Sequence, residues 1–236
     1  MIKSYNQSGQ RKYIPKETIL SIKDDYSIKP IDYKTAMDLV VKNHYLHRKA
    51  PCSQAFGLVN KKEEVIGVVV YGTPASRPLQ KGVCGIEEAN NVLELTRLWV
   101  QDGTPKNVES FLIGNTIPIV EKEIIVSYAE VEQGHLGIVY QATNWIYTGL
   151  SDKHSKWFIK GTDDKHCRHI FDSYGGINKA KEILGDKMVR GERPRKHRYI
   201  YFNADKSRRQ ELINKLRYKI QPYPKGDRYD KNQVRL

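Results

Sequence analysis

The segment IIVSYAEVEQGHLGIVYQATNWIY, residues 124–147, joins a strand pattern directly to a helix pattern. Its opening residues are rich in β-branched and aromatic side chains, which predicts a strand over 124–130. After the polar loop, the spacing of the apolar residues predicts a helix over roughly Leu136 to Tyr147. A strand that passes at once into a helix is typical of folds in which helices cover a sheet.

The sequence before this segment repeats both patterns. Runs rich in Val and Ile predict strands over 54–59, 65–71 and 91–100, and a helix from about Lys106 should end before Pro118. Asp32 is the expected N-cap of an earlier helix. The apolar stripe of that helix contains Tyr33, Ala36, Met37, Val40 and Val41, with His44 as the next member. Antiparallel strands followed by a strand–helix–strand–helix unit indicate an α/β or α+β sandwich.

The pattern weakens after Gly149. We predict a short strand over 157–159, a helix over 178–184, a basic loop over 188–197 and a strand over 198–203. Asp205 should cap a last helix, whose apolar face is Leu212, Ile213 and Leu216. The predicted organisation is an N-terminal arm over 1–30, a single domain over 31–221 and a polar tail over 222–236.

The positive charge of the chain is concentrated in its last third. Residues 1–152 carry 17 Lys+Arg and 17 Asp+Glu, whereas residues 153–236 carry 23 and 10, which accounts for the net charge of +13. Such a region is suited to binding the phosphate backbone of a nucleic acid, although a solvated surface is the alternative. We assign the backbone contacts to Arg190, Arg193, Arg195, Lys196, Arg198, Lys206, Arg208 and Arg209.

Composition excludes several classes of protein. The hydrophobic content of 39% and the 15 tyrosines are typical of a folded chain. Cys52, Cys84 and Cys167 are odd in number and widely spaced, so neither a disulfide framework nor a zinc ribbon is expected, and a reducing cytoplasm is the natural setting. No apolar run reaches the roughly 18 residues of a membrane span, and no signal peptide is expected.

Polar residues that interrupt the apolar patterns are the candidates for chemistry. His44 continues the apolar stripe of its helix and should point at the sheet. A histidine in such a position is more often a hydrogen-bonded core residue than a functional one. Glu130 ends a strand face, and Glu132 and His135 follow it in the loop. A carboxylate and histidines at the ends of elements can form an acid/base pair or a metal site. The spacing is not specific, because no HExxH, CxxC or DxD motif is present.

The loop QDGTPKN, residues 101–107, joins a predicted strand to a predicted helix. Its amides and the start of the helix can hold an anion, and an ordinary turn containing Gly103 and Pro105 is the alternative. The candidate cofactor-binding residues are Gly103, Thr104, Lys106 and Asn107.

Several stretches together resemble the Mom family of phage DNA-modification proteins. They are NHYLHRKAP, AFGL, VVVYGTPAS, VLELTRLWVQDGTPKNVESFLIG, IIVSYAEVEQGHLGIVYQATNW and RKHRYIYFNA, and the resemblance runs from about residue 33 to 224. It implies conversion of the exocyclic amine of adenine to a carbamoylmethyl derivative, which protects phage DNA from host restriction. It also implies a GCN5-related N-acyltransferase-like core, with a mixed, mostly antiparallel sheet and helices on both faces, and bound iron.

The resemblance also implies the functional residues. They are His44, Tyr45, Tyr71, Glu130 and Tyr140, where Glu130 stands in place of a family aspartate. His44 is the implied iron ligand, and we add Glu130 as a second ligand or as the base. Acyltransferases of this type hold coenzyme A with a Gln/Arg-x-x-Gly-x-Gly/Ala loop. The loop at 101–107 has only one glycine, so binding of coenzyme A in the usual manner is not expected.

The implied product suggests a different donor. A glycyl group transferred from glycyl-tRNA, in place of acyl-CoA, could rearrange to the carbamoylmethyl group, and tRNA would suit the basic surface. The target base in double-stranded DNA has to be flipped or its strand melted. Tyr140, Trp145 and Tyr147 could then stack on the base, although aromatic residues at this spacing are more often core.

We expect the protein to act in the cytoplasm of an infected bacterial host. Two other classes of function remain open from the sequence. An N-acyltransferase acting on a protein or small amine would bind coenzyme A without dependence on nucleic acid. A non-catalytic nucleic-acid-binding module would leave His44, Tyr45 and Glu130 without a role.

Overall fold

The computed structural model describes residues 4–5, 11–12, 22–162, 170 and 173–225. In chain order the strands and helices are β1 (Ser4–Tyr5), β2 (Arg11–Lys12), α1 (Ile22–Asp25), β3 (Tyr26–Pro30), α2 (Tyr33–Asn43), β4 (Gln54–Asn60), β5 (Val65–Gly72), α3 (Arg77–Cys84), β6 (Val92–Val100), α4 (Val108–Thr116), β7 (Ile124–Glu130), α5 (Ile138–Ala142), β8 (Ile146–Leu150), β9 (His154–Ile159), α6 (Ile177–Leu184), β10 (Met188–Arg193), β11 (Lys196–Phe202) and α7 (Lys206–Lys215).

A seven-stranded sheet, in the order β3-β4-β5-β6-β7-β11-β8, organises the fold. Strands β3 to β6 pair antiparallel, and β6 pairs parallel with β7, with Val92 opposite Ile124. The helix α4 connects this parallel pair, as a parallel connection requires. The predicted mixed, mostly antiparallel sheet is therefore confirmed. Two separate two-stranded sheets are formed by β1 with β2 and by β9 with β10.

Helices cover both faces of β5. Val68 and Val70 pack against Ala36 and Met37 of α2 in one buried cluster. The next residue, Tyr71, has its hydroxyl 2.7 Å from Thr116 of α4. Because successive side chains of a strand point to opposite faces, α2 and α4 lie on opposite faces of the sheet.

The described residues form two compact units. The first comprises Met1–Ser127, Val139–Trp145 and Ile200–Tyr218, and the second comprises Tyr128–Ile138, Ile146–Tyr199 and Lys219–Leu236. No helix in the described part of the chain is long and apolar enough to cross a membrane. Cys52 and Cys84 are free thiols, and Cys167 lies outside the described residues.

Both predicted N-caps are confirmed. A carboxylate oxygen of Asp32 accepts from the Thr35 amide at 3.0 Å, and one of Asp205 accepts from the Arg208 amide at 2.9 Å. Each therefore satisfies an amide that the first turn of a helix leaves unpaired. The apolar stripe of α2 is narrower than predicted, since Tyr33 and Val41 are exposed.

The helix predicted over 136–147 is wrong at its C-terminal end. Helix α5 stops at Ala142 because Asn144 adopts a left-handed conformation, with φ of 60°. The amide of Trp145 then donates to Tyr140 O at 3.0 Å, and that of Asn144 donates to Gln141 O at 3.1 Å. This pair of bonds is the Schellman closure, and the chain continues as strand β8.

The basic loop predicted over 188–197 is also wrong. Residues 188–193 form β10, which pairs with β9 from Met188 opposite Ile159 to Arg193 opposite His154. Pro194 has no amide hydrogen and ends the ladder, and β11 begins at Lys196. The segment 26–30, part of the predicted arm, forms β3 and pairs with β4. Helix α3 was not predicted.

A cluster of ion pairs fixes α7 within the first unit. The Glu88 carboxylate, whose side chain is only 8% exposed, lies 2.7 Å from Arg208 and 2.8 Å from Lys215. Burial acts to raise the pKa of Glu88, but hydrogen bonds from Lys215, Arg208 and Asn91 prevail and lower it to about 2. Arg208 also pairs with Glu123 at 3.0 Å and with Glu211 at 2.8 Å.

Replacing Glu88 with glutamine is expected to lower the free energy of unfolding at neutral pH by about 2 kcal/mol, because Arg208 and Lys215 lose their shared buried partner. A carboxylate with a lowered pKa stabilises the fold above its ordinary value of 4.5. That contribution is lost as the pH falls toward 2, so the difference from wild type should shrink there. Urea unfolding measures it.

Glu63→Gln is the matched control, because Glu63 forms an exposed pair with Lys29. It should change the free energy of unfolding by less than about 0.5 kcal/mol. Equal losses in the two variants would show that the buried cluster does not hold α7.

Candidate active site

Two buried tyrosines of the first unit are hydrogen-bonded to hydroxyl side chains. The hydroxyl of Tyr71 lies 2.7 Å from Thr116 Oγ1, and the Thr116 hydroxyl also contacts Leu112 O at 2.9 Å. The Ser127 hydroxyl on β7 donates to the Tyr140 hydroxyl on α5 at 2.8 Å. We call Tyr71, Thr116, Ser127 and Tyr140 the buried tyrosine site.

Both phenols of this site are protonated at neutral pH. Burial raises the pKa of Tyr71 above its ordinary value, the hydrogen bond with Thr116 opposes this, and Tyr140 adds to the increase. Burial also raises the pKa of Tyr140 to about 12. The hydrogen bond from Ser127 acts to lower this pKa, and the charges of Glu94 and Glu109 act to raise it. The two tyrosines can therefore donate hydrogen bonds or protons, and they cannot act as bases near pH 7.

Glu94 is a functional candidate that the sequence reasoning missed. It is half-buried on β6, opposite Val126 in the parallel pairing, and its charge acts on Tyr140. It places a carboxyl group within electrostatic range of a protonated tyrosine. The signal was present in the sequence, since Glu94 interrupts the apolar run VLEL.

His44 is held at the end of α2. Its amide donates to Val40 O at 3.0 Å, and its side chain is buried, as the stripe predicted. The ring Nδ1 accepts a hydrogen bond from the Leu46 amide at 3.1 Å, which places the proton of the neutral ring on Nε2. The ring of Tyr45 stacks on that of His44, with centroids 4.3 Å apart, and Tyr45 is 43% exposed.

These residues do not fit an iron site. The lone pair of His44 Nδ1 is engaged by the Leu46 amide, and Nε2 carries the hydrogen, so neither nitrogen presents a free lone pair to a metal. Within residues 22–162, 170 and 173–225, no three His, Cys, Asp or Glu side chains are grouped to hold a metal ion. We therefore derive no step through iron.

Glu130 lies in the second unit, where it is paired with a cation. The ammonium of Lys196 is 2.5 Å from Glu130 Oε1, and both side chains are largely buried. The Glu130 carbonyl also accepts from the His135 amide at 3.1 Å. The ion pair engages Lys196, which was assigned to the nucleic-acid backbone, and it neutralises the carboxylate assigned as ligand or base.

The loop residues assigned to a cofactor all lie just before α4. Gly103 and Asn107 have φ of 83° and 73°, and Asn107 O accepts from the Ser110 hydroxyl at 2.9 Å. Thr104 is half-buried and Lys106 is exposed. Glu109 already places a carboxylate in the first turn of α4, which opposes the binding of an anion there.

Four of the arginines assigned to nucleic acid are hydrogen-bonded within the protein. Arg198 is buried and donates to Thr148 Oγ1 at 2.9 Å, and Arg208 belongs to the Glu88 cluster. The assignment of these two is corrected, because binding phosphate would require breaking buried contacts. Arg195 donates to Ser151 O at 2.5 Å and Arg190 donates to Ser155 Oγ at 2.8 Å.

The other cations assigned to nucleic acid differ in their exposure. Arg193 and Lys206 are exposed, and half-buried Arg209 lies 5.8 Å from the centre of the Tyr201 ring.

Trp145, one of the three residues considered for stacking on a base, is fully buried against Tyr140 and Tyr201. Tyr140 and Tyr147 are also buried, so the three rings are core residues, as their spacing favoured.

A buried tyrosine–histidine pair lies in the second unit. The Tyr147 hydroxyl is 2.8 Å from His197 Nδ1. Burial raises the pKa of Tyr147, so the phenol keeps its proton at neutral pH. Burial also lowers the pKa of His197 below its ordinary value of 6.5.

His197 is expected to make the fold sensitive to mild acid. The unfolded chain binds the proton more readily than the folded chain, so the free energy of unfolding falls as the pH drops from 6.5 toward the lower folded-state pKa. His197→Gln should flatten this slope in urea unfolding between about pH 5.5 and 7.5. The exposed His154→Gln is the control, and equal slopes in the two variants would contradict the assignment.

Comparison with known proteins now identifies the class of the chain. The model of the Mom protein family matches residues 25–225, so the chain belongs to the Mom family. Methylcarbamoylase mom of Escherichia phage Mu is 25% identical over 201 residues, which are 80% of either chain.

Solved N-acetyltransferase structures are similar at a lower level. SpeG, the spermidine/spermine N-acetyltransferase from Vibrio cholerae, has a TM-score of 0.46 at 9% identity, with 80% of this chain and 99% of that chain covered. NAA60 from Arabidopsis thaliana in complex with acetyl-CoA has a TM-score of 0.45 at 9% identity, with 75% and 99% covered.

Proposed function

We propose that this protein modifies phage DNA by converting the exocyclic amine of adenine to a carbamoylmethyl amine. Membership of the Mom family over residues 25–225 carries this proposal. The name of the Mu phage relative, a methylcarbamoylase, is consistent with the same product. The buried tyrosine site supplies protonated donors of the kind that acyl transfer requires at the carbonyl and at the leaving group.

Roles for the residues follow from their protonation states. Glu94 is a suitable acceptor for the proton that the adenine amine loses on attacking an acyl carbon. Tyr140, with a pKa of about 12, is a suitable donor to the departing oxygen. The Tyr71 hydroxyl belongs to the same buried tyrosine site and is a further protonated group, which can stabilise the developing oxyanion.

For the donor we propose a glycyl ester such as glycyl-tRNA. The adenine amine attacks the ester carbonyl, an amide bond forms, and the tRNA hydroxyl leaves with a proton. The glycyl amino group then attacks C6 of adenine and closes a five-membered ring. Cleavage of the original C6–N bond opens that ring, so the glycine nitrogen stays on C6 and the original amine becomes the terminal amide.

Nucleoside mass spectrometry tests the proposed function. DNA from cells that express the chain should contain an adenine nucleoside heavier by a carbamoylmethyl group, and DNA from cells with the His44→Ala variant should lack it. Unmodified adenine in both, with folded protein present, would refute the proposal.

Isotopic labelling tests the donor separately. Glycine labelled with nitrogen-15 should deliver its label to the nitrogen attached to C6, which fragmentation distinguishes from the terminal amide. Modified adenine without label would eliminate glycine and leave the modification itself established.

A further inference from the structure

The chain leaves the sheet after β8 and returns to it at β11, and the two ends of this excursion meet in the second unit. The Ser151 amide donates to Lys196 O at 2.8 Å, and the Lys196 amide donates to Ser151 Oγ at 3.0 Å. Arg195 adds bonds to the carbonyls of Ser151 and Leu150. The excursion is therefore closed at its base, between β8 and β11.

The excursion has a hydrophobic core of its own. Ile159, Ala180 and Met188 are buried together with Ile170, and Trp157 packs against them. Trp157 and Ile159 belong to β9, Ala180 to α6 and Met188 to β10. The Lys181 ammonium of α6 also lies 3.8 Å from the centre of the Trp157 ring. One face of the β9–β10 hairpin is thus covered by α6.

The pairing of β9 with β10 fixes which residues share the other face. Trp157 lies opposite Arg190 and Ile159 opposite Met188, so these pairs face α6. The alternate pairs face away, because successive side chains of a strand point to opposite sides. We call this outward face of the hairpin the platform, and its residues are Phe158, Val189, Lys156, Gly191, His154 and Arg193.

An aromatic ring lies across the platform, and its charged residues are basic. A Cβ at Gly191 would be 2.5 Å from Phe158 Cε1, so the ring lies over the backbone of β10 at a residue with no side chain. Lys156 shares the cross-strand position of Gly191, and exposed His154 and Arg193 form the next pair. The acidic residue of the hairpin, Glu192, is on the opposite face.

We propose that the platform binds a single-stranded segment of DNA, with one base stacked on Phe158 and its phosphates contacted by Lys156 and Arg193. An aromatic ring on a strand surface with flanking cations matches the chemistry of an unpaired nucleotide, whose base has an apolar face and whose backbone is anionic. This inference rests on the proposed function, because the target adenine is reached by flipping or by melting the strand, and melting leaves unpaired DNA beside it.

Two arginines of the same strand provide a matched test. Arg193 lies on the platform, whereas Arg190 faces α6 and is bonded to Ser155. Binding of a short fluorescent single-stranded DNA to the full chain is measured by anisotropy over a range of salt concentrations. Arg193→Gln should weaken binding about fivefold at roughly 0.15 M salt and reduce the salt slope by about 0.7, whereas Arg190→Gln should change neither.

The stacking contribution is tested by two variants that keep every charge. Phe158→Leu should weaken binding about tenfold without changing the salt slope. Gly191→Ala adds a Cβ where the Phe158 ring lies, and the ring can swing away without unfolding the hairpin. It should therefore weaken binding to a similar extent. Circular dichroism verifies that each variant is folded.

Several results would overturn the platform. They are equal losses in Arg190→Gln and Arg193→Gln, unchanged binding in Phe158→Leu, and duplex DNA bound as tightly as the single strand. An RNA strand of the same sequence bound more tightly than the DNA strand would overturn the assignment to DNA. Modified adenine from wild-type protein without single-strand binding would refute the platform alone. Binding without modified adenine would refute the proposed function alone.

Discussion

Replacing Tyr140 with phenylalanine is expected to lower the yield of modified adenine at least about 100-fold while the protein remains folded. The substitution removes the hydroxyl that accepts from Ser127 and keeps the ring that packs on Trp145, with centroids 5.1 Å apart. Nucleoside mass spectrometry of DNA from cells expressing the variant gives the yield, and urea unfolding gives the stability. The hydroxyl is needed because a phenol with a pKa of about 12 remains a proton donor throughout the physiological range.

Tyr201→Phe is the control for this prediction. Tyr201 packs on the same neighbour, with its ring centroid 5.7 Å from that of Trp145, and it is not part of the buried tyrosine site. The variant should retain the wild-type yield. If Tyr140→Phe also kept that yield, Tyr140 would be a core residue, and the proton donor would have to be sought elsewhere.

The elements that the sequence predicts well are those whose stability is local. The strand over 124–130 has the predicted limits, and Asp32 and Asp205 cap the helices that follow them. Strand β10 was missed because its stability comes from pairing with β9, about thirty to forty residues earlier in the chain. Its arginines and Gly191 favour a loop by local criteria, and the ladder overrides that preference.

The candidate site was also predicted only in part from the sequence. Burial of His44 followed from its place on the stripe of α2, and Tyr71 and Tyr140 came from the family resemblance. Neither route shows which partner a side chain meets. Lys196 meets Glu130 and Arg208 meets Glu88 across long separations in the chain, and such pairs leave no pattern in a single sequence. Charge concentration located the basic region, and hydrogen bonding then decided which cations are available.

Replacing Gly72 with alanine is expected to lower the free energy of unfolding by about 3 kcal/mol. A Cβ at this position would be 2.2 Å from Pro51 O and 2.9 Å from the Cys52 amide nitrogen. The obstructing atoms are backbone, and they are held in place. Pro51 O accepts from the Thr96 hydroxyl at 3.0 Å, and the Ser53 amide donates to Tyr71 O at 2.7 Å.

The same clash should reduce activity, because Gly72 pairs with Glu94 across β5 and β6 and follows Tyr71 directly. Gly114→Ala is the matched control, and it is expected to raise the free energy of unfolding. Gly114 lies within α4, and its added Cβ would meet only Thr143 Cγ2, at 3.9 Å. Alanine is the better helix former, so this variant should gain about 0.5–1 kcal/mol. Urea unfolding measures both changes, and a neutral Gly72→Ala would show that the segment 51–53 can move away from β5 at little cost.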